Sequence, residues 1–83
     1  MVETAQTSLV ERSARVLAGE AFSSNAQGSD PSAADKVDLL WPKYVDQALA
    51  VLHAIREPDP AAAAAGDAET WQRMIEASIA NAE

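Results

Sequence analysis

Apolar residues at positions 41, 45, 48, 52 and 55 alternate in spacing between four and three. That interval follows one face of an α-helix. It does not keep side chains on one side of a strand, where the period is two. The stripe is made by Val45, Ala48, Leu49, Leu52 and Ile55, with Trp41, Tyr44 and Val51 beside it. It predicts a main helix over about 42–56 that packs against neighbouring helices. Asp46, Ala50, Ala54 and Glu57 occupy the far face. The two alanines there leave room for a second close-packed helix, and a homodimer is one use of that room.

The rest of the chain reads as further helices. Leu9, Val10, Ala14, Val16, Leu17 and Ala21 fall on one arc and predict a helix over about 7–21. Ser8 and Glu11 fit a capping box, with Ser8 as N-cap and Glu11 reaching back. Gly19 weakens the last turn. Residues 23–34 are rich in Ser, Asn, Gln and Gly and predict a loop, while 1–6 predict a flexible lead-in. Asp30-Pro31 can start a short helix as N-cap and first helical residue. Pro42 disfavours a helical Trp41, so a break or a short connector is expected near 39–41, with Pro42 in the first turn of the main helix. Glu57-Pro58-Asp59-Pro60 stops the main helix, and Asp59 can cap a turn over 61–65. Gly66 is the expected C′ residue. Asp67 then caps a last helix over about 68–82, striped by Trp71, Met74, Ile75, Ser78 and Ile79. Glu69 and Arg73 on it are spaced to pair. With no period-two segment, the expected fold is all-α: a single small three-helix bundle with one or two extra helical turns.

Composition limits what this bundle can do. Forty of the 83 residues are apolar, but 19 of these are alanine, which leaves 21 large apolar side chains. That fills a small core and leaves little to line a deep pocket. There is no cysteine, so disulfides, thiolate chemistry and Cys-ligated metals are excluded. The formal net charge is -7, opposite in sign to what phosphate neutralisation requires. Direct nucleic-acid binding and anionic membrane surfaces are therefore disfavoured. No apolar run approaches the ~20 residues of a membrane span. Met1-Val2-Glu3-Thr4 lacks the basic and apolar regions of a signal peptide, so a cytoplasmic location is expected. Acidity favours a protein partner with a basic surface.

Few residues carry candidate chemistry. His53 is the one histidine, and Glu57 at i+4 is spaced to pair with it on a helix. A helix histidine beside a carboxylate is the simpler reading. Asp35/Asp38 and Glu57/Asp59 are paired carboxylates, but no calcium-loop spacing occurs and nothing suggests a catalytic cleft. No phosphate loop or hydrolase motif is present, and Gly19, Gly28 and Gly66 read as punctuation. No catalytic residue, cofactor or metal is expected, and the chain reads as a non-enzyme. Trp41, Tyr44 and Trp71 fall on or beside helical stripes. Trp41, placed before Pro42, is the aromatic expected to protrude as an interface anchor.

Val51-Leu52-x-Ala54-x-Arg56-Glu57-Pro58, followed by Trp71-x-x-Met74-Ile75-x-Ala77, resembles small uncharacterised proteins of alphaproteobacterial genomes, phages and prophages. The similarity covers 41 to about 80, and Ser13-Ala14-Arg15-Val16-Leu17 resembles their N-terminal portion more weakly. Alanines stand here where such proteins usually carry a methionine between Pro60 and Gly66. The resemblance implies a mobile-element setting and transfers no functional residues. By analogy, small acidic helical proteins of that setting include anti-CRISPR inhibitors that bind host machinery. The expectation is a phage-type inhibitor that mimics DNA. Asp35, Asp38, Asp46, Glu57 and Asp59 would occupy a basic nucleic-acid-binding groove of a host complex. The alternative is an accessory phage protein or small stabilising subunit that docks through apolar and aromatic helix residues, Trp41 and the main helix foremost.

Overall fold

A computed structural model describes residues 5–25 and 33–82. Five α-helices lie among them: α1 (Leu9–Asn25), α2 (Ala33–Leu40), α3 (Val45–Ala54), α4 (Pro60–Ala65) and α5 (Ala68–Ala82). A 3₁₀ turn, Trp41–Tyr44, joins α2 to α3. The fold is all-α, with no strand among the described residues.

The Ser8 hydroxyl caps α1 by accepting from the Glu11 N–H at 3.0 Å. The other half of the expected capping box is not made. The Glu11 carboxylate accepts instead from Arg15 Nε at 2.8 Å. α1 runs to Asn25, four residues beyond the predicted end and into the expected 23–34 loop. Gly19 is thus interior, and α2 supports the helix there: a Cβ on Gly19 would stand 3.8 Å from Val37 Cγ2. Tertiary contact offsets the weak propensity of a single glycine. The expected flexible segment is described only at residues 5 and 6. The Asp30–Pro31 helix start and Gly28 lie outside the described residues.

Of the break or short connector expected near 39–41, the connector is found, as the 3₁₀ turn at 41–44. Leu40 stays right-handed at φ -111°, ψ -5°, and the chain tightens into the 3₁₀ turn. Pro42 sits at the start of that turn, where its missing N–H leaves no hydrogen bond unmade. α3 then ends at Ala54, earlier than the predicted 56. Asp59 caps α4 by accepting from Ala62 N–H at 2.8 Å, with Pro60 as the first helical residue. Gly66 follows at φ -157°, ψ -145°, extended rather than left-handed, so the expected C′ geometry is absent. Asp67 caps α5 as predicted, accepting from Glu69 N–H at 3.0 Å and from Thr70 Oγ1 at 2.9 Å.

α1 is the central element. It packs against α2, the 3₁₀ turn and α3, and more lightly against α5. α5 lies antiparallel to α3. Trp71 meets Ile55 at one end, and Asn81 and Ala82 share a small recess with Val45 and Ser8 at the other. The core joins Val10, Ala14, Ala48, Leu52, Ile75 and Ile79, with Leu9, Leu17, Trp41, Tyr44, Val45 and Leu49 half-buried against it. Ala14, Ala18 and Ala48 are fully buried, so small side chains let α1 and its neighbours approach closely. Such contacts bury little area per residue. The radius of gyration, 14.9 Å, exceeds the ~12 Å typical of this length.

Candidate functional site

The apolar arcs of three helices are wider than the surfaces that cover them. On α1 the buried line is Val10, Ala14, Ala18, and Val16 at the edge of the arc is exposed, although the sequence placed it in the stripe. On α3 and its C-cap, Val51 and Ile55 are exposed. On α5, Ile75 and Ile79 are buried, whereas Met74 is 64% exposed and Trp71 37%.

Three of these surplus residues, Ile55, Trp71 and Met74, meet. Leu9 and Ser13 of α1, Leu52 and Ile55, and Trp71, Met74, Ile75, Ala77 and Ser78 of α5 line an open groove of about 590 Å³. Ser13 also borders a shallower recess with Val16, Leu17 and Val51. Among the described residues, the hydroxyls on the groove are those of Ser13 and Ser78. Full burial of a large apolar side chain contributes roughly 1.5–3 kcal/mol, so covering these residues would stabilise a complex appreciably.

Trp71 fixes the end of the groove. Its indole Nε1 donates to the carbonyl of Ile55 at 2.8 Å, so the ring is held while the residue stays exposed. Ile55 is the C-cap of α3, and its carbonyl has no intrahelical partner to lose. Beyond Trp71 the surface turns acidic. Glu57 and Asp59 border a recess that shares Ile55 and Trp71 with the groove. Asp67 borders another that shares Trp71 and Met74. Hydrogen bonds from the Thr70 hydroxyl and the Glu69 amide hold the Asp67 carboxyl below its ordinary pKa, so it stays charged.

The carboxylates of the expected acidic row lie on separate elements. Asp35 and Asp38 lie on α2, Asp46 in the first turn of α3, and Glu57 and Asp59 beyond its far end. All are exposed, but Asp38 is engaged: its Oδ1 accepts from Arg15 Nη1 at 2.6 Å. Arg15 also holds Glu11 and lies 5.4 Å from the Trp41 ring centroid, a cation–π distance. The bonds to Asp38 and Glu11 raise the Arg15 pKa. Trp41 is therefore half-buried under Arg15 and against the core, and the protruding indole is Trp71. His53 is exposed. α3 stops at Ala54, so helical i+4 spacing does not carry Glu57 back to it, and no ion pair joins them among the described residues. Nor do Glu69 and Arg73 pair; Arg73 Nη2 instead approaches Thr70 Oγ1 at 3.4 Å.

Among the described residues, no three His, Cys, Asp or Glu side chains gather to hold a metal ion. No helix among them is long and apolar enough to cross a membrane. No family model, curated protein or solved structure matches the chain.

Proposed function

We propose that this chain is a non-enzymatic protein-binding module that docks through the groove between α1, α3 and α5. The observation that carries this reading is the convergence of Ile55, Trp71 and Met74, all exposed, on one open apolar groove. Single exposed apolar residues are ordinary; a contiguous set drawn from separate elements marks an interaction surface. An indole held by a backbone hydrogen bond is a pre-ordered anchor, which lowers the entropy cost of binding. The nearly unbroken apolar wall argues against a small-molecule site, which needs several convergent polar groups to orient its ligand.

A second reading is an inhibitor that presents carboxylates to a basic nucleic-acid groove. The net charge of -7 and the exposure of Asp35, Asp46, Glu57 and Asp59 favour it. It ranks second because Asp38, one of its five carboxylates, is already paired with Arg15. Affinity capture from a lysate of the source organism separates the two. With the groove reading, a protein held by the wild type is lost with Met74→Glu and kept with Asp35→Lys. The reverse pattern supports the inhibitor, and a partner kept by both variants contradicts both readings.

A further inference from the structure

We infer that the occupant of the groove is an amphipathic helix of another protein, about two turns of it in contact, with Lys or Arg at the end that reaches Trp71. This rests on the groove reading and specifies its partner. Length comes first. From Trp71 to Ser78 the groove follows α5 for seven residues, about 10 Å at helical rise, or two turns of a facing helix. Apolar anchors at i, i+3 or i+4, and i+7 fit a trough of that length.

Charge decides the rest. The apolar trough opens, past Trp71, onto Glu57, Asp59 and Asp67. Among the described residues, no Lys, Arg or His lines the groove or the recess of Glu57 and Asp59, while Arg73 Nη2 stands 3.4 Å from Thr70 Oγ1 at the Asp67 recess. Charge complementarity then calls for a cation at one end of the occupant and none along its middle. A second copy of this chain is disfavoured by the same observation. It would bring another net charge of -7 and its own acidic rim to the surface.

Two synthetic peptides test this, each of roughly 18 residues, long enough to form helix in water. Both carry leucine at i, i+3 or i+4, and i+7. One has three lysines in its last turn, the other three glutamates. Binding to the full chain is followed by tryptophan fluorescence and by amide chemical shifts. The lysine peptide should bind at least about tenfold more tightly than the glutamate peptide and shift Ser13, Ile55, Trp71 and Met74. Glu57→Lys, which touches no helix cap, should abolish the preference, and Met74→Glu should remove binding of both. Circular dichroism confirms that the variants fold. Equal affinity for the two peptides overturns the inference, and so does self-association through this face in sedimentation. With Met74 still required, equal affinity leaves the groove reading itself standing. Binding of both peptides indifferent to Met74→Glu overturns the groove reading itself.

Discussion

The indole of Trp71 donates its one N–H to the backbone carbonyl of Ile55, 2.8 Å away, and so ties the start of α5 to the end of α3. The tie spans the Glu57-to-Gly66 connection and sets the acidic end of the groove. Trp71→Phe keeps an aromatic ring there and removes the donor together with part of the indole's bulk. It should cost about 0.5–1.5 kcal/mol, measured by denaturant unfolding. An unchanged midpoint would mean that water replaces the indole without loss.

Gly19→Ala should stabilise the protein. Gly19 is interior to α1, and a methyl group there meets Val37 at an ordinary contact distance of 3.8 Å. The gain expected is about 0.5–1 kcal/mol, seen as a rise in Tm of several degrees. A fall in Tm would mean that α1 and α2 lie closer than the structure places them.

Ala48→Leu should do the opposite. Ala48 is fully buried in the cluster that holds Ala14. Added methylenes there push α3 away from α1 and should cost about 1–3 kcal/mol by thermal or chemical unfolding. Full tolerance would show that the helices are separated by space.

Asp67 gives stability a pH dependence. Its folded-state pKa lies below the ordinary value because Thr70 and Glu69 hydrogen-bond the ionised form. The stability it contributes is fully present above the unfolded carboxylate pKa, near pH 4, and is lost as pH falls through the lower folded value. Asp67→Asn retains capping ability but does not titrate. Its Tm should therefore fall less steeply than the wild type's between about pH 4 and pH 2. Parallel curves would remove Asp67 from the account.

Much of the architecture is legible in the sequence because helical spacing and caps are local signals. Ser8, Asp59 and Asp67 cap where their neighbours predict, and the last helix has the predicted bounds. What is not legible depends on distant residues. α1 passes Gly19 because Val37 lies against it, and Trp41 is covered because Arg15 stacks on it while bonding Asp38. The groove falls between these cases. The arcs containing Val16, Ile55 and Met74 can be drawn from sequence, but which part of each stays uncovered depends on how α5 crosses α1 and α3.

The central claim is that partners dock on the apolar groove and not on the carboxylates of α2 and early α3. Amide shift mapping of the isotope-labelled full chain against the lysine-bearing peptide tests it most directly. The account predicts the largest changes at Ser13, Ile55, Trp71, Met74 and Ser78. Changes centred on Asp35, Asp38 and Asp46, with the groove residues unmoved, would contradict it.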